Sequence, residues 1–169
     1  RRQRQMCIRD RLCTQLRTAA VGCVAAKYLA PKKVETVGFI GAGEEARMHF
    51  TLLKHLFPSI RTCKVASRHS ATEDRFIAEF DKIIPDVHFI ACRGDNSQAV
   101  ADTDIIVTAI SGQAPVLKAR DVRAGMLYIH VGGWEDEYGV ALKADKIVCD
   151  DWNASKHLSL IHISEPTRP

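Results

Sequence analysis

One junction constrains this chain more than any other. The β-rich run Val34 to Ile40 passes directly into Gly41-Ala42-Gly43-Glu44-Glu45-Ala46, and a helical pattern follows to about Phe57, where Pro58 ends it. A glycine-x-glycine-x-x-alanine turn between a strand and a helix has the form of a dinucleotide-binding turn. Gly41 makes the tight bend, Gly43 lets the backbone approach a pyrophosphate, and the small Ala46 lets helix and strand pack closely. The free N–H groups of the helix start then receive negative charge. Gly41, Ala42, Gly43, Glu44 and Ala46 are therefore the candidate phosphate-binding residues.

The remaining chain repeats the same alternation. Leu12 to Leu29 reads as an alanine-rich helix stopped by Pro31; Cys63–Ala66, Val87–Ala91, Ile105–Ile110, Met126–Val131 and Lys146–Cys149 read as strands. Helices are predicted from Ala71 to about Ile83 and near Asn96 to Ala101. Continuous apolar strands separated by helices imply a parallel sheet covered on both faces, an α/β doubly wound sheet of Rossmann type. The expected organisation is a leading helix over 12–33 and a dinucleotide-binding domain over 34–157.

Charge distribution separates the two ends from this body. The chain of 169 residues has 24 Lys+Arg against 20 Asp+Glu. Setting aside 1–11 and 158–169 removes Arg1, Arg2, Arg4, Arg9, Arg11 and Arg168 with Asp10 and Glu165, and leaves 18 of each sign. The ends have a further relation. Met6-Cys7-Ile8-Arg9-Asp10 can be encoded by ATG TGT ATA AGA GAC followed by AG, and the complementary strand of that DNA encodes Leu158-Ser159-Leu160-Ile161-His162-Ile163. Segments 1–11 and 158–169 are accordingly expected to be translated adapter sequence, outside the core. The neutral body argues against a nucleic-acid partner. No apolar run approaches the ~20 residues needed to span a bilayer, so no membrane association is expected.

Besides Cys7, five cysteines remain, at 13, 23, 63, 92 and 149, with no Cys-x-x-Cys pair and no zinc spacing. They read as reduced thiols packed as small apolar residues in a cytoplasmic protein, and no metal site is expected.

Three further segments fall where an α/β sheet binds ligands, at the carboxyl ends of strands. After the second strand stands Ser67-Arg68-His69, about where an NAD-preferring fold has a carboxylate for the ribose hydroxyls. A cation beside a hydroxyl suits a 2′-phosphate instead, which favours NADP(H) while leaving NAD(H) possible. Thr108, Ala109 and Ser111 end the fourth strand, and Val131 and Gly132 end the fifth. These two loops should flank a nicotinamide. His130, alternating with Ile129 and Val131, reads more simply as a satisfied core histidine than as a group facing the cofactor.

Across nearly all of Leu12 to His157 the sequence resembles the ornithine cyclodeaminase/mu-crystallin family. The resemblance is carried by Leu16-Arg17-Thr18-Ala19-Ala20, the Gly41-to-Ala46 turn, Ser67-Arg68, Ala101-Asp102-x-Asp104-Ile105-Ile106 and Val131-Gly132. It implies a homodimer of two-domain subunits and a nicotinamide dinucleotide cofactor. The implied chemistry takes place at the α-carbon of an amino acid and passes through an imine: cyclodeaminase, amino-acid dehydrogenase or ketimine reductase. A crystallin-like protein that binds cofactor and small ligand without turnover is the alternative.

By the same resemblance Arg17 grips the substrate α-carboxylate, a task suited to a planar guanidinium, and Thr18 is the second contact. The family's acid near the substrate amine follows a Gly-Gly pair. Here Trp134 holds that place, with Glu135, Asp136 and Glu137 beyond, and Asp136 is the catalytic candidate among them. An acidic run after a strand also suits a solvated helix start. The family's catalytic lysine belongs to an N-terminal portion this chain does not match, so the chain alone is expected to be inactive, with an apolar face around Val21, Val24 and Leu29 left uncovered.

Overall fold

The computed structural model describes the backbone of residues 2–112, 114–149 and 151 and, among these, the side chains from Arg11 onward. Five parallel strands form one sheet: β1 (Thr36–Ile40), β2 (Thr62–Ala66), β3 (His88–Ala91), β4 (Ile105–Thr108) and β5 (Leu127–His130), in the order β3-β2-β1-β4-β5. The chain starts at β1, winds outward to β3, then returns past β1 to β4. That reversal leaves a crevice between β1 and β4 at their carboxyl ends, where such sheets take ligands. This is the Rossmann-type arrangement the alternation of strands and helices implies.

Alternation along β1 sorts the two faces of the sheet. Val37 and Phe39 point to one side, where they pack with α2 (Glu44–Leu56), α3 (Ser70–Phe80) and the inner face of α1 (Arg2–Leu29). Phe39, Phe50, Phe76, Phe80 and Phe89 form a connected ring cluster there, with centroids 4.8–6.4 Å apart, a spacing at which aromatic pairs contribute beyond their buried area. Gly38 and Ile40 point to the other side, toward α4 (Asn96–Val100), α5 (Tyr138–Leu142) and the segment around Leu117. α4 passes so close to the sheet that a Cβ on Gly38 would overlap the carbonyl oxygen of Ala99 and stand 2.8 Å from Ile106 Cδ1.

α1 lies against α2 and reaches β5. It runs without a break from Arg2 through the boundary expected at Leu12; segment 158–169 lies outside the described residues. Ala19, Cys23 and Ala26 are its buried face, and small side chains there let the two helices approach closely. Leu12 and Leu16 continue that stripe toward the start of the helix but are exposed, and Val21, Val24 and Tyr28 are exposed on the opposite side. The uncovered apolar face is thus present, except that Leu29 is partly buried and does not belong to it. No described helix is long and apolar enough to cross a membrane.

Two expectations are corrected. Lys146–Cys149 is not a strand: it pairs with nothing regular, and Ile147 and Val148 are 66% and 61% exposed. Its composition suits a strand, but without a face to bury it has no reason to become one. Of the five thiols, Cys23, Cys63 and Cys92 are buried, whereas Cys13 and Cys149 are exposed. Burial pushes the Cys23 thiol up to about 11, so it stays protonated and inert.

The approach of α4 to β1 gives a direct stability test. Gly38→Ala places a methyl against an immobile backbone carbonyl and should cost about 3 kcal/mol, at the upper end of overpacking effects. A urea denaturation midpoint unchanged from the parent would show that α4 can move away freely.

Candidate cofactor and substrate cleft

Gly41 begins the site. Its φ of +105° lies in the left-handed region, its N–H donates to Ala66 O at 2.8 Å, and a Cβ there would strike the carbonyl of Ala109. Only glycine lets the chain leave β1 this tightly. The next helix therefore starts immediately beneath the crevice. Gly43 is its N-cap, and no side chain caps it, which leaves first-turn N–H groups available to a ligand. A Cβ built on Gly43 meets nothing within 4 Å, so this glycine opens onto free space. Ala42 and Ala46, both buried, shape the turn from below.

That space is a cleft of about 350 Å³. Gly43, Glu44 and Glu45 line it from α2, Thr18 from α1, Ala109, Ile110 and Ser111 after β4, and Val131 and Gly132 after β5. Seven of the residues singled out in the sequence thus meet in one place: Thr18, Gly43, Glu44, Ala109, Ser111, Val131 and Gly132. Thr18 donates its hydroxyl to Thr14 O at 2.8 Å and has lone pairs left to accept. Arg17, beside it, is exposed and has no ion pair among the described residues. Ser67, Arg68 and His69 stand apart at the end of β2, with Arg68 and His69 exposed. The gap between Arg68 and the β4 loop is small, since Arg68 Nη2 is 3.8 Å from where a Gly112 Cβ would be.

Two buried carboxylates hold the loops around this cleft, Glu73, which the sequence does not single out, and Glu135, which it shows only as one of the acidic run after Trp134. Glu73, on α3, is fully buried and accepts from the N–H groups of Ser67, Arg93 and Gly94 at 2.7–2.9 Å. It ties the loop after β2 to the turn after β3, where Arg93 and Gly94 both have positive φ. Glu135, also fully buried, accepts from Ile110 N at 2.6 Å, Gly132 N at 2.8 Å and Thr108 Oγ1 at 2.7 Å. It joins the loops after β4 and β5. Gly132 must be glycine for this, because a Cβ there would overlap the Glu135 carboxyl.

Thr108 and Asp136 are drawn into the same cluster instead of facing the cleft. With its proton given to Glu135, Thr108 accepts from Tyr128 Oη at 3.0 Å. Asp136 is 5% exposed and accepts from His130 Nδ1 at 3.0 Å, with Tyr128 Oη 3.4 Å away. The acidic run is therefore not a solvated helix start. Glu137, the third acid, accepts from Ala119 N at 2.9 Å. His130 also donates through Nε2 to Gly133 O at 3.0 Å, and Glu135 Oε2 lies 3.7 Å from that nitrogen. Both ring nitrogens face acceptors, the arrangement an imidazolium needs. Desolvation lowers the His130 pKa, but the Asp136 hydrogen bond and the two carboxylate charges outweigh it and raise the pKa above its ordinary 6.5.

Under the cleft, His49 is fully buried against α1; its Nδ1 donates to Glu45 O at 2.8 Å, and burial lowers its pKa. Burial raises the pKa of Glu45.

The sequence pattern of the ornithine cyclodeaminase/mu-crystallin family matches residues 6–157. The chain belongs to that family. Among its relatives, an alanine dehydrogenase of Archaeoglobus fulgidus is 30% identical over 155 residues, covering 89% of this chain and 46% of the relative. Two solved structures share the fold closely. The Thermococcus litoralis Δ1-pyrroline-2-carboxylate reductase in complex with NADH and L-proline has a TM-score of 0.81 at 26% identity, with 89% of this chain and 47% of that one covered. An archaeal alanine dehydrogenase dimer with bound NAD has a TM-score of 0.78 at 28% identity, with 90% and 47% covered. The chain thus spans less than half the length of these family members.

The His130 cluster yields a pH prediction. A folded-state pKa raised above 6.5 means that His130 stabilises the fold fully below that value, and that this contribution is lost as pH rises through the folded pKa. Denaturation midpoints should fall from mildly acidic to mildly alkaline pH, and His130→Gln should flatten that fall. An identical slope in the variant would place the titrating group elsewhere.

Proposed function

We propose that the complete protein is a nicotinamide-dinucleotide enzyme acting at the α-carbon of an amino acid or its imine. The observation that carries this is the meeting of Thr18, next to Arg17 on α1, with the uncapped start of α2 in one cleft. The free first-turn N–H groups and the open space above Gly43 suit a pyrophosphate. Gly41, Ala42 and Ala46 give the turn its shape, and Glu44 in the first turn is offset by Arg47, whose Nη1 donates to it at 2.7 Å. Ala109, Ser111, Val131 and Gly132 form the wall for the nicotinamide, supported from behind by Thr108 through Glu135. When bound, the nicotinamide supplies or accepts hydride at the α-carbon.

Arg17 holds the substrate carboxylate through two parallel hydrogen bonds and Thr18 seconds it, which sets the α-carbon against the wall. Asp136 acts from under the loop, through His130 and the β5 turn, and not by contact with substrate. Family membership supports a homodimer, and the activity is proposed for the complete polypeptide; the chain alone is expected to hold cofactor weakly without turnover. Incubating the complete polypeptide with ornithine, alanine and a cyclic ketimine, while following reduced-nicotinamide absorbance and ammonia, tests the reading. No change on any of the three, with cofactor bound, would overturn it.

Of the two cofactor forms we infer NADP(H). No carboxylate stands in Ser67-Arg68-His69, and Arg68 is exposed with no ion pair among the described residues, free to meet a 2′-phosphate. The two compared structures contain NADH and NAD; the NADP(H) inference is supported by this chain's Ser67-Arg68-His69 loop alone. Arg68→Asp should weaken NADPH about tenfold to a hundredfold, the worth of a charge-assisted contact, and NADH far less. Equal losses in a fluorescence titration would place Arg68 away from the 2′-phosphate.

A further inference from the structure

Two carboxylates stand on the cleft wall, Glu44 and Glu45, consecutive in the first turn of α2. They differ in what occupies them. Glu44 Oε1 accepts from Arg47. Among the described residues the Glu45 side chain has no hydrogen bond, and its Oε2 is shut away from solvent without a partner. An acceptor left in that state is destabilising, the more so when charged. Its raised pKa has the same origin.

Nothing nearby in the described structure relieves it. No lysine or arginine is among the cleft-lining residues. His49, one helical turn on, gives its Nδ1 proton to the Glu45 backbone carbonyl, and burial keeps the ring neutral, so Nε2 has no proton to offer. The acids after β5 are committed elsewhere: Glu135 to three donors, Asp136 to His130 and Tyr128, Glu137 to Ala119. None of them lines the cleft. A pyrophosphate brings acceptors and negative charge, which would worsen the position of Glu45. What satisfies it is a nitrogen that donates, best of all a cationic one.

We propose that Glu45 contacts the substrate, its carboxylate accepting a hydrogen bond from the amino or imino nitrogen of an α-amino acid whose carboxylate Arg17 holds from α1. This rests on the enzyme reading given above. Arg17 and Glu45 then grip opposite charges of one small zwitterion, and Thr18 stands in the same cleft as Glu45. The pair selects for ligands that bear both groups, and a carboxylic acid without the nitrogen gains nothing from Glu45.

The test uses the complete polypeptide with NADH bound and follows nicotinamide fluorescence. The probes are L-alanine, L-proline and L-ornithine, each beside the acid that lacks its α-nitrogen: propionate, cyclopentanecarboxylate and 5-aminopentanoate. Glu45→Gln should weaken the amino acid that binds about tenfold to a hundredfold, leave its nitrogen-free partner unchanged, and leave NADH affinity unchanged. Glu45→Asp, which keeps the charge, should recover part of the loss. A parent-like amino-acid affinity in Glu45→Gln overturns the proposal, as does an equal loss for both members of a pair or a parallel loss of NADH. If the parent binds NADH but none of the amino acids, the enzyme reading fails and the Glu45 assignment falls with it, an outcome distinct from failure of Glu45 alone.

Discussion

The site depends on one close crossing of backbones at the end of β1. Gly41 donates to Ala66 O on β2, while Ala109 N, just past β4, donates to Ile40 O, so β1 is fastened on both sides where the chain turns out of the sheet. The Gly41 φ of +105° and its closeness to the Ala109 carbonyl exclude any side chain there. Because the turn is that tight, α2 begins directly under the crevice between β1 and β4, with its N–H groups aimed outward. A wider turn would displace the helix start and remove the anion site along with it.

Around that crossing, buried carboxylates act where backbone pairing ends. Backbone pairing ends with Ala109 N donating to Ile40 O and Val131 N donating to Thr108 O. Beyond them Glu135 accepts the N–H groups of Ile110 and Gly132. Glu73 does the same for the loops after β2 and β3. Burying a carboxylate is costly unless several donors meet it, and each of these meets three. His130 stands against both Glu135 and Asp136, whose charges raise its pKa. Loop positions at both ends of the cleft thus rest on charge, whereas the layers beneath rest on the phenylalanine cluster and close helix packing.

This division explains what was legible in the sequence. Strands β1 to β5 and the glycine turn announce themselves through local composition, because a strand buried on both faces is continuously apolar and a tight turn needs glycine. Glu73 and Glu135 give no such signal. The N–H groups that Glu73 serves on Arg93 and Gly94 lie 20 and 21 residues away, and the Ile110 N–H that Glu135 serves lies 25 away. Only the fold brings them together. Asp136 stands three residues beyond Gly132-Gly133, close to the cleft in sequence, but the chain turns it under the loop to His130. Glu45 carries no signal of its own in the sequence, because it and Glu44 read alike as helix-start charge and differ in whether Arg47 reaches them. At Lys146–Cys149 the composition of a strand misled, since pairing and burial are absent.

The central claim is that the space above Gly43 holds the pyrophosphate of a dinucleotide. Gly43 has ordinary backbone angles, φ −80° and ψ −169°, and open space around its missing Cβ. Gly43→Val should therefore fold, losing no more than about 1 kcal/mol of N-cap preference, or a few degrees in melting temperature. The decisive measurement is calorimetric titration of NADPH and NADH into Gly43→Val and its parent, with the melting curves alongside. The account predicts a folded variant in which binding of both cofactors is lost. A folded variant that binds either one as tightly as the parent would contradict it.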